Sequence, residues 1–156
     1  MLTYFTRTFH LSVIAALVLA ASSASAFQEA ATSDKEIELL AVLNSDAPAS
    51  EKAIACKNLA IYGSEAAVPD LAKLLPDPQL SSWARISLEA IPGEASDAAL
   101  RDAAGSLDGR LLIGMINSLS ARRDVKAVEL LTSKLQDVNA DVASAAAVAL
   151  GHIGGA

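Results

Sequence analysis

The stretch Ala67-Val68-Pro69-Asp70-Leu71-Ala72-Lys73-Leu74-Leu75-Pro76-Asp77 returns 60 residues later as Ala127-Val128-Glu129-Leu130-Leu131-Thr132-Ser133-Lys134-Leu135-Gln136-Asp137, with five identical positions. Self-similarity of this kind constrains the fold more than any single residue. A unit too short to bury its own apolar face must bury it against the next copy, which favours a stacked array. The segments that follow align at an offset of 62, Ala84, Leu88 and Ile91 over Ala146, Leu150 and Ile153. A third unit lies halfway, with Ala99, Leu107 and Leu119 at offsets of 31 to 32 from Ala67, Leu75 and Leu88. The repeating unit is therefore roughly 30 residues, the short end of the range for helical pairs.

The local pattern agrees. Apolar residues recur at helical spacing in Ile37, Leu40, Ala41 and Leu43, in Val68, Leu71, Leu74 and Leu75, in Leu112, Met115, Ile116 and Leu119, and in Val128, Leu131 and Leu135. No segment alternates as a strand would. Breakers at Asn44–Pro48, Gly63-Ser64, Pro76-Asp77-Pro78, Pro92-Gly93, Asp108-Gly109, Arg122–Asp124, Asp137–Asn139 and Gly151 divide the chain into eight helices of about ten to thirteen residues. Ser33 and Glu36 have the spacing of a capping box, and helices over 34–43 and 50–62 form a less regular pair in front of the repeats. Pro69 either fixes the start of its helix near residues 65 to 68 or bends it, since Pro cannot sit deep in a helix without clashing. Hydrophobic residues make up 53% of the chain but aromatics only 4%, which suits helical pairs packing Leu, Val and Ala against one another better than one bulky core.

Ala67-Val68-Pro69-x-Leu71, the Leu74-Leu75-x-Asp77 turn and the closing Ala147-Val148-Ala149-Leu150-Gly151-x-Ile153-Gly154 together resemble the short HEAT-like repeats known as PBS-lyase HEAT-like repeats. The resemblance covers residues from about 50 to 156. It departs from the pattern in the first pair and at Glu89 and Pro92, which stand where two Gly are expected. It implies an all-α, right-handed α-solenoid of about four short helical pairs over 34–156. Members of this family are mostly interaction scaffolds, and a minority resemble cytoplasmic lyases that attach bilins. The resemblance maps the second helices, 80–91, 110–120 and 140–151, onto the concave face. Trp83, Arg85 and Asn117 on that face are the candidate protein-binding residues, since aromatic and Arg side chains anchor many interfaces. Trp83 also fits as the bulky plug of a small-residue core.

The first 26 residues give an address. A basic start at Arg7, an apolar run from Leu11 to Ala20 and the small residues Ala24-Ser25-Ala26 have the form of a secretory signal peptide cleaved after Ala26. The run is about half the ~20 apolar residues a membrane span needs. Residues 27–33 read as a flexible lead. Cleavage would remove one Arg and no acid, taking the net charge from -6 to -7. So acidic a chain is a poor match for nucleic acid or an anionic membrane surface. The expected location is periplasmic or secreted, without stable membrane insertion, and the oligomeric state is not specified.

Other candidate sites read as structural. Asp137-x-Asn139-x-Asp141 has the first three positions of an EF-hand loop, but Val142 and Val148 occupy the places of its Gly and bidentate Glu, so these are turn and cap residues. Cys56 is the single Cys and reads as a small buried hydrophobe, with an intermolecular disulfide as the lesser reading. His152 is the only His left after cleavage. Glu89, Glu94, Asp97, Asp102 and Asp108 read as solvated faces, and Arg122, Arg123 and Lys126 as a solvated basic corner. No cofactor, metal or catalytic residue is expected.

Residues 151–156 fall where another repeat would begin, which leaves Ile153 and the Ala-rich helix uncovered and suggests an incomplete solenoid. The expected function is an exported, non-catalytic scaffold that binds another protein through the concave face. The alternative is the N-terminal accessory region of a larger exported enzyme or haem or electron-transfer protein continuing past residue 156. A lyase-like activity on a tetrapyrrole is a distant third.

Overall fold

The computed structural model describes residues 33–154. The signal peptide over 1–26, its cleavage residues Ala24 and Ala26, and nearly all of the 27–33 lead lie outside the described residues. By its contacts the chain divides after Lys35, and the residues from Glu36 onward form one compact unit. Among the described residues every regular element is helical: α1 (33–43), α2 (Ala49–Tyr62), α3 (Val68–Ala72), α4 (Ser81–Ala90), α5 (Glu94–Ser106), α6 (Gly109–Ala121), α7 (Val128–Lys134) and α8 (Ala140–Gly154). Short 3-10 turns, Glu65–Ala67 and Val125–Ala127, lead into α3 and α7.

The repeat read from sequence has a structural counterpart. Ser64 accepts from the amide of Ala66, and Asp124, 60 residues on, accepts from that of Lys126; each caps a 3-10 turn that passes directly into an α-helix. Pro69 sits in the first turn of α3, where its ring is tolerated. The helices α3 and α7, at five and seven residues, are shorter than the ten to thirteen expected. Both end by tightening into i→i+3 bonds, Leu74 to Leu71 and Leu75 to Ala72 after α3, and Leu135 to Thr132 after α7. The following turn is held by Asp77, whose Oδ1 accepts from the amides of Gln79 and Leu80. Its counterpart Asp137 accepts from Asn139, and Asn139 in turn from Asp141.

Packing follows a regular order. Within the unit α2 lies on α4, α4 on α6 and α6 on α8, while α3 packs on α4 and α5, α5 on α4 and α6, and α7 on α8. The seams are filled by residues in matching register, Ala84 of α4, Met115 of α6 and Ala146 of α8, with Leu88 and Leu119 likewise 31 residues apart and Ala149 beside them, all buried. Helix α2 contributes Ala55, Cys56 and Leu59. Small side chains let these helices approach closely, and Ser87 exploits this by donating across the seam to the carbonyl of Cys56 at 2.6 Å. A buried hydroxyl needs such a partner.

Two local expectations are corrected. Gly151 does not end its helix; α8 runs on to Gly154 and buries Ile153, so that residue is covered. Burying an Ile side chain stabilises by about 1.5–3 kcal/mol, more than the ~1 kcal/mol a helical Gly costs relative to Ala. The Ser33–Glu36 capping box does not form: Ser33 is already helical, and the Glu36 carboxylate instead accepts from the amide and hydroxyl of Ser64. The Arg122–Asp124 break is a complete Schellman turn, with Asp124 donating to Leu119 and Arg123 to Ser120. Arg123 takes the left-handed position at φ 53°, where Gly is usual.

Candidate functional site

The even-numbered helices turn one register position outward. Ile54 on α2, Ile86 on α4, Asn117 on α6 and Val148 on α8 recur every 31 or 32 residues, and all four are exposed. The three apolar members are 60%, 45% and 57% exposed. The repetition has a simple origin, because helices whose seam residues are in register also present their outer residues in register. Trp83, one turn before Ile86, is 38% exposed, so it is not a core plug.

Arg85 is placed differently from its two companions. Its Nη1 donates to the Gly114 carbonyl at 3.0 Å and to Ser118 Oγ at 2.7 Å, both on α6, and pairs with Glu89 at 3.3 Å on its own helix. Ser118 Oγ also donates to Glu89. Gly114 makes this crossing possible: a Cβ there would stand 2.8 Å from Arg85 Nε. The structure thus brings Trp83 and Asn117 to the outer side of neighbouring helices and sets Arg85 into the seam between them.

The acidic and basic residues read as solvated are largely engaged. The Arg122 guanidinium donates through Nη1 to the carbonyls of Leu88, Glu89 and Ile91 and through Nη2 to that of Gly93, while Nε pairs with Asp97. It closes the C-terminal end of α4, whose last carbonyls have no partner inside the helix. Arg101 bridges Asp124 and Glu94, and Lys126 joins Glu94 at 2.9 Å. The hydrogen bonds from Lys126 and Arg101 hold the Glu94 carboxyl below its ordinary range. Sequence reasoning missed Arg122 because its partners are main-chain carbonyls 29 to 34 residues away. The one available signal was the Pro92-Gly93 break, which leaves the end of α4 in need of a donor.

The remaining candidates behave as turn or core residues. Asp137, Asn139 and Asp141 spend their side chains or amides on the turn. Cys56 is fully buried, and desolvation pushes its thiol up to about 11. His152 Nδ1 lies 3.1 Å from Ser120 Oγ. Among the described residues no group of three or more His, Cys, Asp or Glu could hold a metal ion, and no helix is long and apolar enough to cross a membrane.

In comparison with known proteins, no family model matches the chain, and no curated protein matches it. The likeness to HEAT-like repeats therefore stands on the residues of this chain alone.

Proposed function

We propose that this chain is an exported, non-catalytic scaffold, a right-handed α-solenoid of short HEAT-like helical pairs that binds another protein along its even-numbered helices. The observation that carries the reading is the row Ile54, Ile86, Asn117 and Val148, exposed at one register position on four successive helices, with Trp83 beside it. Apolar side chains aligned over several helices form a contiguous surface, and such surfaces on soluble proteins mark interaction sites. Trp83 supplies an aromatic anchor and Asn117 a polar contact within the row, while Arg85 borders it from the seam. The signal-like segment ending at Ala26 supports a periplasmic or secreted location.

The test is a capture and binding pair. Wild type and a Trp83→Ala, Ile86→Asp, Val148→Asp variant are compared as baits against extract of the native host, and each recovered protein is then purified and titrated directly. The expected result is a partner whose affinity falls by at least about tenfold in the variant, since losing an interface anchor costs 1–2 kcal/mol or more. Equal affinity of every partner for both baits refutes the surface. Mass spectrometry of the native protein tests the address, with Phe27 expected as the first residue.

A further inference from the structure

Between the start of α4 and the middle of α6 lies a cleft of about 260 Å³ walled by Pro78, Ser81, Ser82, Arg85, Arg110 and Gly114. Its polar lining is unusual for so acidic a chain. Arg110 is exposed and forms no ion pair with any described residue. Arg85 spends only Nη1 on its seam contacts, so the donors on Nε and Nη2 remain unused. Ser81 is 4% exposed, and its Oγ is a buried hydroxyl with no hydrogen-bond partner. Buried hydroxyls are nearly always satisfied, so an orphan in the wall of a cleft marks a donor left for what fills it. Helix α4 also begins here, ten residues long; its Ser81 amide is spent on the Asp77 carbonyl, and no side chain caps the amides that follow. An uncapped helix start presents amide donors and the positive end of the helix dipole.

Two guanidinium groups and an unpartnered hydroxyl are all donors, and the residues that carry them line one small space beside the start of α4. We propose that this cleft is an oxyanion site that takes a phosphate-type group, with Arg110 and the free edge of Arg85 as the charged donors and Ser81 as the hydroxyl donor. The volume lies just below the range of pockets for drug-sized ligands, so it suits a small anion or the phosphate end of a monoester. Gly114 lets the Arg85 guanidinium lie close against α6 at the edge of the cleft, where a Cβ would meet Nε. The site shares Arg85 with the border of the row of exposed residues, but its test needs no protein partner.

Amide NMR of the purified protein is followed during titration with sodium phosphate, with methyl phosphate, and with sodium chloride at matched ionic strength. Saturable shifts at Ser81, Ser82, Arg110 and Gly114 are expected with the phosphates and not with chloride. Tighter binding of methyl phosphate assigns the site to an esterified group, and tighter binding of inorganic phosphate to the free ion. Arg110→Ala should weaken binding by about tenfold while leaving the rest of the spectrum in place, because a charge-assisted donor is lost from an exposed position. Ser81→Ala should weaken it about threefold, the worth of one neutral hydrogen bond. Shifts that fail to saturate, that chloride reproduces, or that persist unchanged in Arg110→Ala overturn the proposal.

Discussion

Replacing Arg122 by Ala should be the most damaging single change at the surface of this protein. The side chain is 11% exposed and its guanidinium satisfies four carbonyls, those of Leu88, Glu89, Ile91 and Gly93, besides pairing with Asp97. A hydrogen bond from a charged group contributes about 1.5–3 kcal/mol, but bonds sharing one fork do not add. Removing one member of a largely buried pair costs about 3–5 kcal/mol, because the partner is left without compensation. Here Asp97 is 21% exposed and can recover some hydration, which places the expected loss near 3 kcal/mol. For a unit of this size that corresponds to roughly 10–15 °C in Tm. Urea unfolding followed by circular dichroism measures it. Arg122→Lys keeps the charge but not the fork and should fall between wild type and Arg122→Ala. Arg123→Ala, next door and exposed, should cost less than about 0.5 kcal/mol. In an Asp97→Ala background, Arg122→Ala should still cost about 2 kcal/mol if the carbonyls carry the effect. A loss below about 1 kcal/mol in Arg122→Ala, or one that vanishes in that background, refutes the claim that this residue caps α4 from the next unit.

Three other outcomes follow from the geometry. Ser87→Ala removes the bond from α4 to the Cys56 carbonyl, which is buried, and should cost about 1–2 kcal/mol in the same unfolding assay; an unchanged midpoint argues against the bond. Cys56 should resist a thiol reagent at pH 8 in the folded protein and react fully in denaturant, because burial both hides the thiol and raises its pKa to about 11; rapid native labelling contradicts this. Asp70, hydrogen-bonded to Lys73 and Asn44, has its carboxyl held below the ordinary value of 3.8. Its stabilising contribution is present above that value and is lost as pH falls below it, so wild type should lose stability on acidification more steeply than Asp70→Asn, and equal acid limbs would remove the interaction from the account.

How far the sequence reached is clearest at particular residues. Periodicity located the helices because apolar side chains every three to four residues stabilise little else, and the structure extends the 60-residue echo to Ser64 and Asp124, which start the same kind of turn. The Asp137–Asn139–Asp141 turn was legible for the same reason, as its hydrogen bonds join residues two apart. The Ser33–Glu36 box failed because a local motif met a competing long-range partner, Ser64, that no nearby residue announces. Gly151 misled similarly: local propensity stops a helix there, but packing of Ile153 continues it.

By itself, then, the sequence determined the all-helical character, the burial of Cys56 and the chemistry of the turns, all of which depend on neighbours within a few residues. Tertiary structure decided which charges are spent and which remain. Arg85, Arg101 and Arg122 look alike in the sequence, yet they lock a helix seam, bridge two acids and close a helix end, while Arg110 is left unpaired among the described residues. The reason is physical: a guanidinium reaches several ångströms from its backbone, and only the packing of helices distant in sequence sets which carbonyls and carboxylates lie within that reach.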